Sequence, residues 1–197
     1  MSSEKTDTRT KILEATRKLM MENIGSGVKM IDIAGEAGVS RQALYLHFDS
    51  RSELLIAATK HLDEKLGVSE RYSVVDDTNS GIDRLDALVE FWGNYLPHIH
   101  GIAKALYSSR ESDEAAAAAW KDRMDVVKRE CRNAIIGLKK DGLLRSEWSQ
   151  KDATEFLWAM LSFPNWELLR FESGWSVKKY VSRTQVAAKQ TFVKEGC

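Results

Sequence analysis

Along most of the chain apolar residues return every three or four positions, the spacing of one helix face. Thr8–Asn23 puts Ile12, Leu13, Thr16, Leu19 and Met20 on one side and Arg9, Lys11, Arg17 and Lys18 elsewhere, which predicts an amphipathic helix. Ile24–Gly27 breaks it. Met30, Ile33, Ala34 and Ala37 mark a short helix over about Lys29–Ala37, which Gly38 stops. Ser40 is placed to cap a third over about Arg41–Phe48, and Asp49-Ser50 restarts the chain into a longer helix through Leu66. Arg71–Gly81 reads as a polar loop. Further helices are expected over Ile82–Leu96, Ile99–Ser108, Ser112–Lys140, Lys151–Glu172 and Val177–Val193, with an interruption at Phe163-Pro164-Asn165-Trp166. No strand pattern is present, so the expected fold class is all-α.

Composition changes this picture little. With 43% hydrophobic residues and only Pro97 and Pro164 as prolines, the chain reads as globular and helical. The net charge is zero, and Met1–Ile56 carries eight Lys or Arg against eight Asp or Glu. Any affinity for nucleic acid therefore rests on where charges stand. Cys131 and Cys197 are too few and too far apart for a disulfide framework or a metal site, and suit a reducing cytoplasm. The polar start lacks the apolar core of a signal peptide, and no apolar run is long enough to cross a membrane.

The second and third helices, joined at Gly38, have the spacing of a helix-turn-helix. Ala34 permits close approach, and Val39, Leu44 and Phe48 fill the angle. Arg41, Gln42, Ala43, Tyr45 and His47 are then left facing outward. Such a helix presents its first turn to the major groove. There Arg41 suits guanine, Gln42 suits adenine and Ala43 suits a thymine methyl. Tyr45, His47 and Arg51 suit phosphates.

"TRTKILEATRKLM" followed by "IDIAGEAGVSRQALYLHFDSRSELL" resembles the DNA-binding domain of the TetR family of bacterial transcriptional regulators. The resemblance implies a three-helix DNA-binding domain, here 1–52, followed by a helical ligand-binding and dimerising domain, here 53–197. It implies DNA contacts from Lys29, Ser40, Arg41, Gln42, Ala43, Tyr45, His47 and Arg51. Ile24, Lys29 and Ile31 depart from the family pattern. Lys29 stands where a capping threonine is usual and offers a point charge instead.

The resemblance also implies an effector cavity and a dimer interface in the larger part. Aromatic residues with a few polar groups suit the cavity: Trp92, Tyr95, His98, Tyr107, Trp158, Ser162, Phe163, Asn165 and Trp166. The last two helices offer an interface of Phe156, Leu161, Leu168, Val177, Val181, Thr184, Ala187 and Ala188, two helices per subunit forming a four-helix bundle. No cofactor is expected. His98 and His100 diverge on a helix with no partner at ligand spacing, so no metal is expected either. The implied protein is a homodimeric repressor that leaves a palindromic operator when a small apolar or aromatic molecule binds. The rival reading is a helical carrier or enzyme that keeps the helix-turn-helix as scaffold.

Overall fold

The computed structural model describes residues 2–194, and Cys197 lies outside the described residues. The helices are α1 (Ser2–Glu22), α2 (Met30–Glu36), α3 (Arg41–Tyr45), α4 (Arg51–Lys65), α5 (Val68–Asp76), α6 (Gly81–Ser109), α7 (Glu114–Lys140), α8 (Gln150–Met160), α9 (Phe163–Glu167) and α10 (Val177–Phe192). A π-helical turn at Leu168–Glu172 extends α9. The described residues pair in β fashion only at an isolated bridge between Leu144 and Val193.

Three expectations change. Arg71–Gly81 is not one loop, because α5 runs to Asp76. Val75 is buried, and the Tyr72 hydroxyl donates to Glu130 Oε2 at 2.7 Å, so two anchors hold an otherwise polar helix. The break expected at Pro97 is absent, and α6 is continuous through it. Proline removes one backbone bond and crowds the carbonyl four residues back. That residue is Gly93, Pro97 itself is exposed, and buried residues on both sides, Leu96 and Ile102, hold the helix together. Third, the helix expected over Lys151–Glu172 divides at Leu161-Ser162. Pro164 then sits in the first turn of α9, where its missing N–H costs nothing.

The chain forms two compact units, one of residues 1–68 with 99–123 and the other of 69–98 with 124–197. This differs from the expected division at residue 52. The core of the first unit joins Ile12, Leu13, Ile33, Leu44, Phe48 and Leu54 to Ile102, Leu106, Ala116 and Ala119. In the second unit Leu85, Val89, Leu138, Leu157, Tyr180 and Phe192 are buried. Two glycines there allow helices to touch. A Cβ on Gly93 would lie 2.5 Å from a Val181 methyl, and a Cβ on Gly81 would strike the backbone of Gly137 and Leu138. Cys131 is fully buried, and burial pushes its thiol up to about 12, so it is no reactive thiolate.

Candidate nucleic-acid interface

The first unit builds its outward face from α1 to α4. Gly38 takes φ +66°, the left-handed turn that ends α2. Ser40 caps α3, its Oγ accepting the Ala43 N–H at 3.0 Å. Ser50 caps α4 through Glu53 N–H at 3.1 Å, and Glu53 Oε2 in turn accepts the Asp49 N–H at 2.8 Å. Leu44 and Phe48 are buried, which fixes the inner side of α3. Arg41, Gln42 and Tyr45 are exposed on the other side, and Ala43 and His47 are half-buried at its edges. The Arg41 guanidinium lies 5.6 Å from the Tyr45 ring centre, so the two side chains form one exposed unit. Lys29 is exposed just before α2.

The family model for bacterial regulatory proteins of the tetR family matches residues 12–58. Residues 12–58, which hold α2, α3 and the start of α4, are thus similar to that family. The family is one of DNA-binding transcription regulators. The nucleoid occlusion factor SlmA of Marinomonas sp. (strain MWYL1) is 29% identical over 106 residues, which are 54% of this chain and 53% of that protein. The chain thus spans about half the length of such curated relatives. NalD, the secondary repressor of the MexAB-OprM multidrug efflux pump in Pseudomonas aeruginosa, superposes with a TM-score of 0.75 at 21% identity, covering 98% of this chain and 100% of that one. A transcriptional regulator from Saccharomonospora viridis, solved in complex with choline, superposes with a TM-score of 0.70 at 21% identity, covering 96% of this chain and 100% of that one. These two likenesses show the fold.

One residue of this segment stands differently from expectation. Arg51, expected on a phosphate, is held by Asp113. Its Nη1 donates to Oδ1 at 2.8 Å and its Nη2 to Oδ2, a two-pronged pair. The cause is local. Asp113 precedes α7 and also accepts the N–H groups of Ala115 and Ala116 at 3.0 and 3.3 Å. Burial by itself raises the Asp113 carboxyl, but Arg51 and the two amides outweigh it and leave the group below the ordinary aspartate range. Ser40 caps α3 as expected, accepting one N–H, and its exposed hydroxyl keeps its own O–H to donate. Conversely, sequence spacing passed over Arg9, which is exposed with its guanidinium 5.1 Å from the Phe48 ring centre. The signal was present as a cation one turn ahead of Leu13, but nothing in the sequence placed it near α3.

Beside the Arg51–Asp113 pair is an open groove of about 650 Å3, lined by Ser26, Lys29, Met30, Ser52, Ser112 and Glu114. Its charged rim does not match the apolar cavity expected from the sequence.

In the second unit several expected effector residues come together. Tyr72, Phe91, Tyr95 and Trp92 form a chain of ring contacts with centres 4.9, 5.6 and 5.9 Å apart. Trp92 Nε1–H donates to the Leu161 carbonyl at 2.6 Å, which brings this chain to Ser162 at the start of α9. Phe163 and Trp166 stack on one another there and are fully buried, so they serve as core. Asn165 is exposed and its amide donates to the Ala159 carbonyl at 2.7 Å. Trp158 carries the Lys128 ammonium 5.0 Å from its ring centre. His98 is exposed on α6. Tyr107 belongs to the first unit, where it meets the Trp120 ring at 5.2 Å.

The expected dimer residues also divide. Leu161, Thr184 and Ala188 are buried within their own unit and face its core. Val177, Val181 and Ala187 are half-buried. Phe156 and Leu168 are exposed, as are Phe171 and Val186, which the sequence reading passed over. Among the described residues no cluster of ligating side chains could hold a metal, and no helix is long and apolar enough to cross a membrane.

Proposed function

We propose that the protein is a homodimeric transcriptional regulator, a repressor that reads a palindromic operator with α3 and is released by a small apolar or aromatic effector. The observation that carries this reading is the exposed row of Arg41, Gln42 and Tyr45 on a capped short helix of a TetR-type domain. Arg9, Lys29 and His47 surround that row as phosphate contacts. The protein acts in the cytoplasm, on DNA, and not as an enzyme. The effector lies in the second unit beside Trp92, Tyr95 and Ser162, where rings are dense. The choline-bound fold neighbour supports a small-molecule site on this architecture.

DNA binding is tested by selecting duplexes from a random pool and titrating the enriched sequence at rising salt. Affinity is expected to fall steeply with salt. Arg41→Ala and Gln42→Ala each cost about 1–3 kcal/mol and relax one base position per half-site. If both variants kept the parent's sequence preference, α3 would not be the reader. A carrier or enzyme that uses the helix-turn-helix as scaffold would enrich no duplex.

The dimer rests on the exposed apolar residues of the second unit, Phe156, Leu168, Phe171 and Val186. Two symmetry-related copies of one patch meet across a two-fold axis, so one substitution acts twice. Phe171→Glu is expected to raise the dimer dissociation constant at least tenfold (about 1.4 kcal/mol) in analytical ultracentrifugation. An unchanged sedimentation profile would place the interface elsewhere.

A further inference from the structure

We infer that Leu46 is a base-reading residue that docks on the 5-methyl group of a thymine, within two base pairs of the one read by Gln42. The inference rests on the proposed DNA-binding role and adds to it a residue and a base.

The geometry starts from the buried side of α3. Leu44 and Phe48 are both 0–1% exposed and point into the core. A helix turns about 100° per residue, so Leu46 projects away from both. The turn is still helical at this residue, since its N–H bonds the Gln42 carbonyl at 3.1 Å. Leu46 therefore stands one turn beyond Gln42 on the outermost line of the helix. It is 80% exposed, the highest value among the exposed large apolar residues described. The neighbouring line of the same face is Arg41 and Tyr45, which cover each other. Nothing comparable covers Leu46.

A solitary exposed leucine is ordinary on a protein surface. This one is not on an ordinary surface, because it shares its line with Gln42 on the helix that faces the groove. The major groove offers polar donors and acceptors at every base pair but one aliphatic group, the thymine methyl. An isobutyl side chain forms no hydrogen bond, so it adds nothing at a phosphate or at a guanine edge. It gains only where it covers carbon. Four residues advance about 6 Å along the helix, and base pairs stack about 3.4 Å apart. The methyl therefore belongs to a base pair one or two steps from the one Gln42 reads. Ala43, the residue that sequence alone put forward for a thymine methyl, is half-buried at the edge of the face and reaches less far.

The test uses the full-length protein and the duplex it enriches from a random pool. Each thymine of the half-site is replaced in turn by deoxyuridine, which removes the methyl and keeps the pairing. For the parent protein, one position per half-site is expected to lose affinity about fourfold, the worth of one buried methyl. In Leu46→Ala the same replacement is expected to change affinity less than about 1.5-fold, the parent's methyl dependence being lost. A cytosine placed at that position is expected to gain affinity for the parent when 5-methylated, and not for Leu46→Ala. The inference is overturned if the parent tolerates deoxyuridine at every position, or if Leu46→Ala keeps the full penalty. Failure of the parent to enrich any duplex would overturn the regulator reading itself, and this proposal with it.

Discussion

Gly81→Ala is expected to lower the melting temperature by about 6–12 °C, although alanine is the better helix former. Gly81 opens α6, and its N–H donates to Asp141 Oδ2 at 2.6 Å. A Cβ there collides with the backbone at Gly137 and Leu138 and would lie 2.7 Å from the Leu138 Cα. The colliding atoms are main chain in the last turn of α7, so no rotamer change relieves the overlap. The helices have to separate, at about 3 kcal/mol or more. Gly35→Ala gives the opposite sign. Gly35 lies in α2 with open space where its Cβ would go, so alanine gains about 0.5–1 kcal/mol. Thermal melts followed by circular dichroism check both. Equal shifts for the two variants would contradict the tight approach of α6 and α7.

Asp113→Ala is expected to cost about 2–3 kcal/mol and to change the acid sensitivity of the protein. Removing one partner of a buried ion pair costs about 3–5 kcal/mol, and Arg51 keeps part of its guanidinium in water, which brings the figure down. Arg51 opens α4 directly behind the reading helix, so losing its anchor also frees the start of α4. The Asp113 carboxyl is held below its ordinary value in the folded protein. A depressed carboxyl contributes stability that is complete above the unfolded-state value of about 3.9 and disappears as pH falls through the folded one. The parent should therefore lose stability below about pH 4 more steeply than Asp113→Asn, which carries no titrating group there. Urea unfolding from about pH 6 downward measures the difference. Parallel pH profiles would show that the pair contributes nothing. Gly27 packs against the same pair, its would-be Cβ lying 2.7 Å from Asp113 Oδ2 and its φ being +70°.

The reading helix was legible because its signals are local. A positive-φ glycine, a capping serine and two buried residues four apart determine where α3 begins and which way it faces. The Arg51–Asp113 pair was not legible. Its partners are 62 residues apart, and from the sequence Arg51 is only a cation at a helix start. Pro97 misled for a related reason. Its local cost of about 3 kcal/mol is real, but distant packing on both sides outweighs it, and sequence spacing does not reveal distant packing. The same holds for the residues expected, and those proposed, at the dimer interface. Period alone put Leu161 and Ala188 on the outer side of α8 and α10, whereas Phe171 lies in a π-helical turn that the period does not describe.

The first unit is assembled from two separate stretches of chain, and this restricts how such a protein can be recombined. Its core takes Ile102, Ala105, Leu106, Ala115, Ala116 and Ala119 from 99–123, which the gene encodes well downstream of the reading helix. An exchange that moved only the first 68 codons into a relative would graft a reader onto foreign packing partners. Exchanges that preserve a working reader must carry both stretches, or a host whose corresponding helices match in volume. On the proposed reading, new DNA specificities in such a lineage are then reached more readily by point changes at the exposed Arg41, Gln42 and Leu46 than by swapping whole heads.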